Sequence, residues 1–179
     1  MHRELQHFSM EPQAQSNWCW DAVAVSIDDF RTEGDRPQCA VAKTVLGLAY
    51  GGLGDCCVNP TPCNKPWYLQ EALTELGRLN DAPGSGTGAG PLIFPKLVTE
   101  INAGRPVGIQ IEWFGGAYFH FAAIAGYSAN TVGRRVKVYD PNGPAAIISW
   151  MNYDDFLSLY NYQSPTGTGG KWIDSYLVT

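Results

Sequence analysis

The stretch Gln13-Ala14-Gln15-Ser16-Asn17-Trp18-Cys19-Trp20 sets a cysteine at the head of an apolar run, Ala22-Val23-Ala24-Val25-Ser26-Ile27. Trp20, Val23, Ile27 and Phe30 fall at helical spacing, which predicts a helix over about 17–30. Ser16 and Asn17 are residue types that favour an N-cap. The upper part of this helix is apolar nearly all round, so it must sit centrally and be covered on several sides. A cysteine at its N-terminus faces unpaired backbone N–H groups and the positive end of the helix dipole. That position suits a thiol nucleophile, because an ordinary thiol with a pKa near ~8.5 needs help to ionise.

The order of the remaining elements points to an α+β chain, with helices first and an antiparallel sheet after them. A polar arm over residues 1–12 precedes the first helix. Further helices are expected at about 38–50, with Gly51-Gly52 as the stop, and at about 66–76, ended by Gly77. Residues 82–91 read as a flexible glycine-rich connector between a helical half (about 13–81) and a sheet half (about 92–179) of one domain. A short helix over 94–103 precedes the strands. Val107, Ile109, Ile111 and Trp113 alternate with more polar neighbours, and 119–127 is continuously apolar, as for a strand covered on both faces. Strands at 136–139, 145–150 and 172–178 complete the sheet. Asn152 opens a short helix through Tyr160, and glycine-rich 165–170 leads into the last strand.

Composition narrows the function. Of 179 residues 45% are hydrophobic and only 16% charged, as expected of a folded domain with a sizeable core. The formal net charge is −5 and no Lys/Arg cluster is present, which gives no footprint for nucleic acid. The longest uncharged apolar stretch, about 113–127, is too short to span a bilayer. No apolar signal segment stands at the start, so export, if it occurs, is expected by another route, and otherwise the chain is cytoplasmic. Beside Cys19 there are Cys39, Cys56, Cys57 and Cys63. Two disulfides, four reduced thiols and a zinc site are the alternatives, and Cys56-Cys57 followed by Cys63 does not match paired CxxC spacing.

A thiol nucleophile needs a base, and of three histidines only His120, at the head of the apolar strand, lies outside the N-terminal arm. The base needs an orienting acceptor. Asp140 ends the next strand, before a Pro-Asn-Gly turn, where a hairpin would bring it beside His120. Acyl transfer needs oxyanion donors: the Cys19 N–H and an upstream amide, Gln13 or Gln15. Trp18 and Trp113 are candidates for the substrate cleft. No metal or cofactor is required by this chemistry.

The pattern Gln13, Asn17-Trp18-Cys19-Trp20, His120-Phe121, Gly126-Tyr127 and Asp140-Pro141 resembles the papain-like cysteine proteases, in particular bacterial double-glycine leader peptidases and papain-like effector proteases of plant pathogens. The resemblance covers nearly the whole chain. It implies a papain-like fold and cysteine endopeptidase activity, with Cys19 as nucleophile, His120 as base, Asp140 as orienter and Gln13, in place of Gln15, as oxyanion donor. It further implies a peptide substrate with a Gly-Gly preference, a secreted toxin or effector role, and a cognate immunity or inhibitor protein. A thiol-dependent deamidase or transglutaminase uses the same residues, and an inactive papain-like binding module is the non-enzymatic alternative. Asp21 stands where the family pattern has a small residue. A carboxylate there, turned toward Cys19, would oppose a thiolate.

Overall fold

A computed structural model describes residues 1–116, 118–160 and 169–179. The elements are β1 (His2–Glu4), α1 (Cys19–Thr32), α2 (Gln38–Tyr50), α3 (Leu69–Glu75), α4 (Phe94–Asn102), β2 (Val107–Trp113), β3 (Phe119–Asn130), β4 (Gly133–Asp140), β5 (Ile147–Asn152), α5 (Tyr153–Phe156) and β6 (Gly170–Tyr176). Helices come first and the sheet second, as the residue pattern predicts. Residues 165–168 of the expected glycine-rich lead-in lie outside the described residues.

The sheet is antiparallel, in the order β5-β4-β3-β2-β6, with β1 added to the far end of β3. The N-terminal residues are thus a strand and not a free arm. Arg3 pairs with Tyr127, and Leu5 N–H donates to the Ala125 carbonyl at 2.8 Å. The central strand β3 is buried from His120 to Tyr127, which fits its continuous apolar sequence. Packed against it is α1, whose residues from Cys19 to Asp28 are all buried. Helices α2 and α3 cover the remaining sides of α1.

Close packing of α3 on the sheet depends on Gly108 in β2. A Cβ at that position would lie 2.9 Å from Leu69 Cδ2 and 3.3 Å from the Tyr176 Cβ. Any side chain at position 108 would force the Leu69 side chain to shift and crowd Tyr176.

Three further local expectations are corrected. First, α1 begins at Cys19 with Trp18 at the cap position, and no side chain caps it. Ser16 and Asn17 bond instead to Asn64 on a neighbouring loop. Second, α3 begins at Leu69, and residues 64–68 belong to no helix. Third, residues 82–91 are held to the sheet. Gly86 N–H donates to the Ser175 carbonyl at 2.8 Å, Gly90 N–H to Asp174 Oδ1 at 3.0 Å, and Ser175 Oγ to the Gly90 carbonyl at 2.8 Å. The glycines supply the positive φ of this path, +94° at Gly86 and +78° at Gly90.

The cysteines outside α1 form two disulfides, Cys39–Cys57 and Cys56–Cys63. They tie the start of α2 to the 53–65 loop and close that loop on itself. In the chain-entropy picture, closures of these lengths each stabilise the fold by about 2–3 kcal/mol. No helix among the described residues is long and apolar enough to cross a membrane.

Candidate active site

The head of α1 and the sheet meet along a cleft of about 690 Å³. Its lining includes Gln13 and Cys19 from the helical side, and Trp113 and His120 from the sheet. Cys19 is the free cysteine, nearly buried. It heads α1, so its backbone N–H has no acceptor within that helix.

Adjacent strands bring the next two groups together. His120 opens β3 and Asp140 closes β4, so the antiparallel pairing sets them at the same end of the sheet. His120 Nε2 and Asp140 Oδ1 are 2.7 Å apart. The Cys19 side chain acts on the same ring, toward which Nδ1 remains available. The imidazole therefore bridges thiol and carboxylate. Burial opposes a charged ring here, but the Asp140 charge and hydrogen bond, followed by the influence of Cys19, outweigh it and raise the His120 pKa to about 10.

Asp140 is fixed in turn. Burial works against its charge, yet the His120 cation, the Tyr160 hydroxyl and the Asn142 N–H together hold its pKa below the ordinary carboxylate value. The Asn142 N–H donates to Oδ1 at 2.8 Å, the side-chain turn expected of Asp-Pro-Asn-Gly, and the Tyr160 hydroxyl donates to Oδ2. Trp113 stacks on His120, with centroids 5.5 Å apart, and on Tyr160 at 5.8 Å. Trp113 thus lines the cleft and also limits water access to the imidazole. Tyr160 belongs to no motif, and only the fold reveals its part.

Gln13 is brought to the cleft by a hydrogen bond from its N–H to the Pro141 carbonyl at 2.8 Å, one residue past Asp140. Its Nε2 donates to the carbonyls of Gln15 at 3.0 Å and Ser16 at 2.8 Å. Gln15 is not among the lining residues. Trp18, expected at the cleft, lies instead in the core, 1% exposed, where Nε1–H donates to the Cys63 carbonyl at 2.7 Å. Trp20 does the same toward the Lys65 carbonyl at 3.1 Å. The Asn17 N–H donates to Asn64 Oδ1 at 3.0 Å, and Asn17 Nδ2 to the Asn64 carbonyl at 3.1 Å. The segment carrying Cys19 is thereby docked on the turn after Cys63. The four bridged cysteines support the site and do not line it.

Asp21 does not face the thiol. It is fully buried away from the cleft, and neither carboxylate oxygen has a hydrogen-bond partner among the described residues. Burial first, then the charge of Glu11, raise its pKa well above the ordinary carboxylate value, offset only in part by the Ala42 N–H of α2, which lies near the carboxylate without completing a hydrogen bond. The acid is most stable protonated, so it brings no full charge to the head of α1.

No curated protein sequence matches the chain. Among solved structures, the digestive procathepsin L 3 of the Tenebrio molitor larval midgut is similar with a TM-score of 0.53 at 9% identity, covering 99% of this chain and 69% of that chain. At that identity the likeness speaks to the fold, which is papain-like. The Peptidase_C39 like family model matches residues 5–168. The chain therefore belongs to the Peptidase_C39 like family and is a papain-like cysteine protease.

Proposed function

We propose that the protein is an endopeptidase acting through a Cys19–His120–Asp140 triad, with the Cys19 N–H and Gln13 as oxyanion donors. The observation that carries this is the shared imidazole, with Asp140 2.7 Å from Nε2 and the Cys19 side chain acting on the same ring across the cleft. A protonated ring against the sulfur suits a thiolate–imidazolium pair. The thiolate attacks the scissile carbonyl carbon and the C–O pair becomes an oxyanion. That oxyanion meets the Cys19 N–H at the head of α1. The Gln13 carboxamide reaches it by exchanging one of its two carbonyl contacts. His120 gives its proton to the departing amine, leaving a thioester. It then takes a proton from water, whose oxygen attacks the thioester and frees the acid and Cys19.

The two disulfides favour action in an oxidising compartment outside the cytosol. The secreted toxin or effector role, the Gly-Gly preference and the cognate immunity protein follow from the family resemblance and belong to this proposal. The test is labelling with a peptidyl thiol electrophile, followed by cleavage mapping on Gly-Gly and mixed peptides. Rapid stoichiometric labelling, abolished in Cys19→Ala and strongly slowed in His120→Ala, is expected. Labelling of the unaltered protein no faster than that of an ordinary thiol, with the rate unchanged in His120→Ala, would sink the triad. Side-chain deamidation without chain cleavage would assign the thiol chemistry to a deamidase.

A further inference from the structure

One wall of the cleft is polar for no reason that bond cleavage supplies. Gln110 lies on β2, on the face that Gly108 turns toward α3, and is only 4% exposed while lining the cavity. Its Oε1 is committed, because the fully buried Tyr176 hydroxyl donates to it at 2.6 Å. The Thr87 hydroxyl lies 3.5 Å from the Tyr176 oxygen and can donate to it, which keeps the phenolic proton on Gln110. A carboxamide also carries two N–H donors. Among the described residues Gln110 Nε2 has no acceptor. The amide is therefore oriented, with its oxygen tied to the core and its nitrogen left for whatever fills the cavity.

The surroundings specify the occupant. Tyr50, Trp67 and Tyr68 line the cavity from the helical side, and Tyr118, Phe119 and Phe121 from the sheet side. Aromatic walls favour a flat apolar side chain. No Lys or Arg lines the cavity among the described residues, and the His120 cation is already engaged by Asp140, so a carboxylate would be poorly compensated. We propose that Gln110 determines specificity by donating to the neutral oxygen at the tip of an aromatic substrate side chain, tyrosine above phenylalanine, seated between these walls. The inference rests on the peptidase reading and deepens it.

A neutral hydrogen bond of this kind is worth about 0.5–1.5 kcal/mol, so tyrosine should lead phenylalanine by about 2–13-fold in kcat/KM. The experiment is a positional-scanning peptide library on the full chain, with active enzyme counted by Cys19 titration. Gln110→Leu is expected to abolish or reverse the tyrosine lead. Gln110→Glu keeps an acceptor for Tyr176 and offers a carboxylate to the cavity. It is expected to move the preference at the same position to lysine or arginine. An unchanged order of preference in both variants overturns the inference and leaves the peptidase reading intact. A library left uncut by protein whose Cys19 titrates fully overturns both.

Discussion

Asp21→Asn should remove a pH-dependent penalty from the fold. In the unfolded chain Asp21 titrates near ~3.9. In the folded chain its pKa is raised, by burial and then by Glu11. The sign follows from proton counts. Below the unfolded value both states hold the proton and the group costs nothing through linkage. Above it the unfolded state releases the proton while the folded state keeps it, so stability falls by about 1.4 kcal/mol per pH unit until pH reaches the folded value. Asparagine has the same shape and no such slope. Its unpaired donors add an offset that does not depend on pH. Glu11, the ionisable neighbour that acts on Asp21, is present in both proteins, as are His120 and Asp140, so their contributions largely cancel in the difference. Urea unfolding of both proteins at pH 4.0, 5.0 and 6.0 should show a stability difference that shifts toward the variant by roughly 1 kcal/mol or more per unit from pH 4.0 upward. Curves that stay parallel within about 0.3 kcal/mol would mean that the folded acid is ionised, and the assignment of Asp21 as a neutral buried acid would be refuted.

Other perturbations test the site and its support. Asp140→Ala removes the charge that keeps His120 protonated, so the alkaline limb of the kcat/KM profile should move to lower pH. The rate should also fall by about 10²–10⁴-fold, as for other triads that lose their orienting carboxylate. An unmoved limb would show that Asp140 does not set the imidazole. Gln13→Ala should lower kcat by about 10²–10³-fold with little change in KM, and an effect confined to KM would remove it from the oxyanion site. Trp18→Phe deletes the donor to the buried Cys63 carbonyl and should cost about 1–3 kcal/mol in chemical denaturation, with the thiol still titratable. Cys56→Ala with Cys63→Ala should lower stability by about 2–3 kcal/mol, and a loss of activity beyond the unfolded fraction is expected because the turn after Cys63 docks Ser16–Trp20.

Local pattern and chemistry made the elements legible. The helical spacing of Trp20, Val23 and Ile27 located α1, and the unbroken apolar run after His120 located the central strand. The pairing of His120 with Asp140 followed from chemical need, since one available histidine and one hairpin-end aspartate leave few arrangements. What stayed hidden depends on contacts between distant segments. Residues 2–4 look like a polar arm because the strand they join is supplied more than 120 residues later in the chain. Residues 82–91 look flexible because glycine-rich sequence does not reveal that Asp174 and Ser175 hold it. Trp18 looked like a cleft residue because sequence places it beside Cys19, whereas α1 turns it into the core. Asp21 violates the apolar pattern outright, and only the fold shows which way it faces. Tyr160 and Gln110 carry no local signature at all.

The docking of Ser16–Trp20 on the turn after Cys63 has an electrochemical consequence. Sulfur in this protein serves in two oxidation states within one folding unit. The Cys56–Cys63 bond must stay oxidised for the turn to hold its shape, and Cys19 must stay reduced to serve as the nucleophile of the proposed triad. Such an enzyme works inside a potential window, bounded below by reductive opening of the bridge and above by oxidation of its own nucleophile. A redox titration of activity should therefore be bell-shaped, with its reducing flank following the Cys56–Cys63 couple and its oxidising flank following Cys19.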